Sequence, residues 1–157
     1  MVMTEWPHFV LDTNVVLYLL GNRLAEPLPS GSYVLSIISE MELLSYPNLS
    51  ETEEQQIRNF LGQLQIIGLS DRVKTTAIDL RKQHGIKLPD AIISATALTL
   101  DATLLTNDSR LVKLRGVGCV RHSRNAPSCK ALVRYASANT PYEIKVGQLT
   151  YPAKAVN

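Results

Sequence analysis

The first apolar run of the chain, Phe9-Val10-Leu11, is unbroken and stops at a carboxylate, Asp12. A run that is apolar at every position predicts a strand covered on both faces. Thr13 and Asn14 follow, both good helix-starting residues, and then Val15, Val16, Leu17, Leu19 and Leu20 predict a buried helix that Gly21 ends. Asp12 is therefore expected at the carboxyl end of a strand, where it turns into a helix. In open α/β sheets that is the edge of the crevice where ligands bind. For one isolated acid the plain alternative is a helix cap.

The same pattern recurs along the chain. After a Pro/Gly/Ser loop at 26–32, Tyr33 to Ile38 predicts a second strand, running into a helix that starts Ser39-Glu40-Met41-Glu42 and is broken at Pro47 and Asn48. Ser50 with Glu53 three residues on predicts a capping box, and Ile57, Phe60, Leu61 and Leu64 give that helix one apolar stripe. Ile66 and Ile67 predict a short strand. Ser70 or Asp71 caps the next helix, with the stripe Val73, Ala77 and Leu80, ending at Gly85. Leu88-Pro89-Asp90 opens another helix, with Pro89 suited to its first turn. Ala91, Ile92, Ile93, Ala95 and Leu98 make it apolar nearly all round, so it is expected to be central. Ala102 to Thr106 predicts a buried strand, Asn107-Asp108-Ser109 a turn into a short helix, and Val117 to Val120 a last strand. Strands alternating with helices predict a three-layer α/β/α fold around a mainly parallel sheet.

Composition narrows the class. A chain of 157 residues with 45% hydrophobic content suits one compact domain. No stretch approaches a bilayer span; the longest mostly apolar run is Ala91 to Leu100. Met1 to Pro7 does not read as a signal peptide, and with two cysteines, Cys119 and Cys129, a reduced cytoplasmic chain is the expectation. Zinc needs more ligands at closer spacing, and His8, His84 and His122 are scattered. The formal charge of +2 is unevenly spread. Residues 121–157 hold six Lys and Arg against Glu143 alone, a net +5, which leaves −3 for residues 1–120. A basic tail on a mildly acidic body points weakly to a polyanion, and a solvated tail without a partner fits the charge as well.

Four acidic places remain: Asp12, Glu40 or Glu42, Asp90 in the first turn of the central helix, and Asp108 at a strand end. Each adjoins apolar sequence, where an unpaired charge is costly. No Lys or Arg is placed beside them in a way that suggests pairing. Converging carboxylates repel, and a divalent cation is the usual remedy. An all-oxygen set without His or Cys favours Mg²⁺ or Mn²⁺, ions that activate water against a phosphodiester. A Gly-rich phosphate loop is lacking. An aspartyl phosphotransferase would want an acid where Asn14 stands, and the surroundings of Thr106 and Asp108 do not supply the pattern of a receiver domain. The competing class is a non-catalytic fold with capping acids.

The stretches LDTNVV at 11–16, SIISEMELL at 36–44, KLPDAIISATAL at 87–98 and LLTNDSRL at 104–111 resemble the PIN-domain family, and within it the bacterial VapC-type toxins. Four motifs in the expected order cover about residues 8–120 and are specific for the family, though not for one substrate. The resemblance implies a ribonuclease dependent on Mg²⁺ or Mn²⁺, with Asp12, Glu42, Asp90 and Asp108 as its catalytic and metal-holding acids and Asn14 and Thr106 as supporting polar residues. It further implies an RNA substrate, an antitoxin partner whose tail blocks the cleft, and a homodimer. Glu40 is the alternative to Glu42; the two lie two apart and so point to different sides of a helix, and the family places its Glu directly before the Leu pair. A PIN-like module that binds RNA or metal and regulates without cleaving is the alternative function. Residues 1–122 read as the domain. Residues 123–157 read as a basic extension the family does not explain, either a hairpin from Tyr142 to Tyr151 or disordered chain.

Overall fold

A computed structural model describes residues 8–25, 27–111, 114 and 117–119. The expected tail hairpin lies outside the described residues. Five strands, β1 (His8–Leu11), β2 (Ser32–Ser36), β3 (Gln65–Ile67), β4 (Thr103–Thr106) and β5 (Val117–Cys119), form one sheet in the order β3-β2-β1-β4-β5. All four pairings are parallel. The helices are α1 (Thr13–Leu20), α2 (Ile37–Leu44), α3 (Glu51–Leu61), α4 (Asp71–His84) and α5 (Leu88–Thr99). Among the described residues no helix is long and apolar enough to cross a membrane.

Alternation along the strands divides the core in two. Phe9, Leu11, Leu35 and Leu105 face one way and pack with Val15 and Val16 of α1, Leu43 of α2, and Ile57, Phe60 and Leu61 of α3. Val10, Val34 and Leu104 face the other way, against Ile93 and Ala97 of α5. Behind them α4 docks on α5 through Val73, Ala77, Leu80, Ala91, Ile92 and Ala95. Both faces of the sheet are covered, which is why β1 is apolar at every inner position. The result is the expected three-layer fold with a parallel sheet. The stripe on α3 is consumed inside the chain, with Ile57, Phe60 and Leu61 all buried.

Local signals account for the ends of several elements. Ser50 and Glu53 make the capping box reciprocally, Ser70 caps α4 through the Val73 N–H, and Gly85 closes α4 at φ 64°, in the left-handed region. Two boundaries differ from the sequence reading. The second strand stops at Ser36 rather than Ile38, because the Ser36 hydroxyl accepts from the Ile38 N–H and starts α2 there. After β4 the chain turns at Asp108 to Leu111 without forming a helix among the described residues.

The topology places the crevice. From β1 the chain steps to β2 and β3 on one side, then returns to lay β4 and β5 on the other. The direction of winding therefore reverses between β1 and β4, and the connections leaving those two strands diverge around a gap at their carboxyl ends.

Candidate functional site

Asp12 is the first residue past β1, and the register aligns it with its neighbours. Leu11 pairs with Leu35 and with Leu105, so Ser36, Asp12 and Thr106 stand side by side at the carboxyl ends of the three central strands. All three are buried. Asp12 occupies the N-cap position of α1 yet its side chain makes no capping bond to the N–H groups of Asn14 or Val15. Its carboxylate instead accepts from the Thr106 hydroxyl, at 2.5 Å, while the Asp12 N–H donates to the Leu105 carbonyl at 3.0 Å. Capping alone does not explain an acid so placed.

The other three acids come from different elements. Glu42 sits on α2 and its Oε2 accepts from the Thr13 hydroxyl at 2.5 Å, which ties α2 to the start of α1. Asp90 lies in the first turn of α5, half-buried. Asp108 follows β4, and its N–H donates to the Thr106 hydroxyl at 3.1 Å. That one hydroxyl therefore donates to Asp12 and accepts from the backbone of Asp108, linking two of the acids.

Several of the acids bear on one another's ionisation. Burial pushes the Asp12 carboxyl above its ordinary value; the bonds from Thr106 and the Thr13 N–H oppose this, and the charges of Asp90 and Glu42 add to it. Asp90 is likewise raised, by burial first and then, against the pull of Arg110, by Asp108 and Glu42. Glu42 thus bears on both Asp12 and Asp90. Asn14, expected as a supporting residue, is exposed on α1.

Two residues escaped the sequence reading. Thr13 looks only like a helix starter, yet it holds Glu42; the signal available was its place directly after Asp12. Arg110 corrects the expectation that no cation pairs with the acids. Its Nη2 stands 2.5 Å from Asp108 Oδ2 and 3.8 Å from Asp90 Oδ2, and this pairing holds Asp108 below the usual carboxylate range. The spacing Asp108-Ser109-Arg110 carried the signal, because a turn folds residue 110 back over residue 108.

The donor set is oxygen throughout, from Asp, Glu and Thr, and suits a hard divalent cation such as Mg²⁺ or Mn²⁺. Asp12 fits such a role well: it is 5% exposed, its pKa is raised, and among the described residues no cation pairs with it. As the side chains stand, no three acids among the described residues converge tightly enough to chelate one ion. An open crevice of about 540 Å³ lies elsewhere, along the β3 edge between Gln65 and Val73, and none of the four acids lines it.

Residues 9–117 match the PIN domain family. Among solved structures the chain is similar to a toxin–antitoxin complex from Klebsiella pneumoniae, with 28% identity and a TM-score of 0.59 over 69% of this chain and 94% of that one. It is also similar to VapBC2 from Rickettsia felis bound to a promoter DNA fragment, with 20% identity and a TM-score of 0.61 over 73% and 99% of the two chains. For DNA-bound VapBC from Salmonella typhimurium the figures are 18% identity and a TM-score of 0.60 over 72% and 96%. The last two speak for the fold alone. No curated protein matches the chain.

Proposed function

This chain belongs to the PIN-domain family, and from that premise we propose that it is a divalent-metal-dependent ribonuclease acting as the toxin of a toxin–antitoxin pair. What supports the reading is that Asp12, Glu42, Asp90 and Asp108 gather toward the β1/β4 switch point, where Asp90 and Glu42 raise the resistance of Asp12 to ionising and Asp108 and Glu42 raise that of Asp90. Two carboxylates from different elements, Asp12 and Asp90, each raised by burial and by neighbouring acids, are poorly explained by fold stability alone. Asp12, Glu42 and Asp90 would hold Mg²⁺ or Mn²⁺, directly or through water. A cation bound there supplies Lewis-acid polarisation of a phosphodiester and a more acidic water. Asp108 would complete the site and orient the attacking water. Thr106 keeps Asp12 in place, and Thr13 does the same for Glu42.

The toxin assignment draws on the solved structure that is 28% identical to this chain, which is a toxin–antitoxin complex. On this reading a small antitoxin covers the strand-end crevice, the toxin works in the cytoplasm, and two copies of the chain associate. A second reading has one observation in its favour: Arg110 already engages Asp90 and Asp108. A PIN-like module that binds RNA or metal without cleaving would retain such a pairing.

One experiment separates the two. Purified protein is incubated with a structured RNA in Mn²⁺, in Mg²⁺ and in a chelator, beside Asp12→Asn and Asp90→Asn. Cleavage that needs the metal and falls at least a hundredfold in both variants supports the nuclease. RNA binding with no metal-dependent cleavage in the wild type would overturn it in favour of the regulatory module.

A further inference from the structure

Arg110 reaches the site acids from the turn after β4. Its Nε donates to both Asp108 carboxylate oxygens, at 3.1 and 3.2 Å, and its Nη2 donates to Oδ2 at 2.5 Å. The Arg110 backbone N–H adds a fourth bond, to Oδ1 at 2.8 Å. The local part of this arrangement is a side chain folding back two residues. The reach to Asp90 is not local, for Asp90 belongs to α5 and lies 3.8 Å from the same Nη2. With its side chain 60% exposed, Arg110 is held there by charge and not by packing.

We propose that Arg110 is the built-in counter-cation of this site, a guanidinium that neutralises Asp90 and Asp108 and competes with the divalent cation for their oxygens. The inference rests on the metal-site reading given above. The lone pairs of Asp108 Oδ1 and Oδ2 that accept the guanidinium fork are the ones a hard cation needs, and such an ion bonds carboxylate oxygen at about 2.1 Å, which leaves no room for an N–H in the same direction. Arg stays protonated throughout the accessible pH range, so pH does not clear it from the acids; a competing cation does. Loading of metal therefore requires Arg110 to leave Asp90 and to loosen from Asp108. Metal affinity is set below what four acids would otherwise give, and the metal-free protein is spared part of its internal repulsion.

The test is titration calorimetry of Mn²⁺ into the full chain, with thermal melts of the metal-free protein, for the wild type, Arg110→Gln and Arg110→Lys. Arg110→Gln removes the cation, keeps the length and leaves an exposed position exposed. It is expected to bind Mn²⁺ about five- to tenfold more tightly, by loss of one competing charge at a partly solvated site, and to melt lower than wild type without metal. Arg110→Lys keeps the charge but cannot fork over Asp108 while reaching Asp90, so a smaller shift in the same direction is expected. Wild-type Mn²⁺ binding that Arg110→Gln leaves unchanged or weaker overturns the counter-cation and spares the nuclease reading. Absence of Mn²⁺ binding in the wild type and in both variants overturns the metal site, and this inference with it.

Discussion

Thr106 stands 94 positions from Asp12 in the chain, and its hydroxyl donates to Asp12 Oδ2 at 2.5 Å in the fold. Both residues are buried; Thr106 ends β4 and Asp12 directly follows β1, neighbouring strands at the centre of the sheet. Thr106→Val keeps the shape and removes the donor. The variant is expected to lose about 1–2 kcal/mol near neutral pH, as a buried charged acceptor loses its partner. Its carboxyl then titrates higher still, so the acid limb of any cleavage profile should move to higher pH. Urea denaturation at pH 7 and pH 4 checks the first part: the deficit shrinks at pH 4, where Asp12 is more protonated in both proteins.

Asp90→Asn tests the repulsion directly. The folded Asp90 carboxyl is raised above its ordinary 3.8. A raised acid favours folding fully below its unfolded pKa and loses that advantage as pH rises through the folded pKa. In the metal-free wild type the penalty is therefore present at neutral pH and absent below about 3.8. The variant should melt no lower than wild type at pH 7, and any advantage should vanish at pH 3.5. Mn²⁺ should raise the wild-type melting temperature, because it binds only the folded site, and should raise that of the variant much less. An undiminished Mn²⁺ shift together with an undiminished cleavage rate would remove Asp90 from the site.

Thr13→Val cuts the tie between α1 and Glu42. Loss of a residue that orients a metal-holding acid typically costs about tenfold or more in affinity or rate. Because the pair is only partly buried, stability should fall by about 1 kcal/mol at most. Mn²⁺ titration and urea denaturation of one preparation distinguish a loosened Glu42 from a general loss of fold.

Association of two copies is expected to use apolar surface that the single chain leaves in water. Met41 on α2 is 59% exposed and Tyr46, just beyond it, 54%. Light scattering at micromolar concentration should give about twice the 17.4 kDa chain mass, and Met41→Lys with Tyr46→Lys should return it to one chain. A monomeric wild type at that concentration would count against association.

The basic tail makes a separate prediction. Its net charge of +5 should add nonspecific phosphate contacts, each steepening the salt dependence of RNA binding. Removing residues 124–157 should then weaken RNA binding at low salt and flatten the slope without abolishing cleavage. An equal slope for the two proteins reduces the tail to a solvated element.

What the sequence made legible was local or periodic. The unbroken run 9–11, the capping box at Ser50 and Glu53, and the all-round apolarity of α5 each follow from short-range rules, and the structure carries them over unchanged. Asp12, Asp90 and Asp108 announced themselves as acids at element ends. Preferring Glu42 to Glu40 needed the family resemblance, because both follow the same strand; in the fold only Glu42 is held by Thr13. Ser36 lies inside an apolar run that patterns as strand, and its competing use as a cap emerges only in the fold, where its hydroxyl accepts from the Ile38 N–H. The long-range contacts of Thr13 and Arg110 are illegible for a different reason. Their partners Glu42 and Asp90 lie 29 and 20 positions away, and nothing in local pattern encodes such a meeting.

The central place of β1 has a consequence for the order of events as the chain is made. β1 is synthesised first, yet one of its two edges stays open until residues 103–106 arrive to pair with it as β4. Parallel pairings of such long sequence separation form late, after the entropy of closing the intervening loop has been overcome. Strands β1, β2 and β3 with α1 to α3 can assemble beforehand, but Asp12 has no Thr106, Asp90 no Asp108, and Arg110 no acids to hold. A nascent chain of about 100 residues therefore carries Asp12, Glu42 and Asp90 but neither Thr106, Asp108 nor Arg110, and so none of the assembled cluster. Whatever chemistry resides there is withheld from the chain during its own translation, and begins only when synthesis is more than two thirds complete.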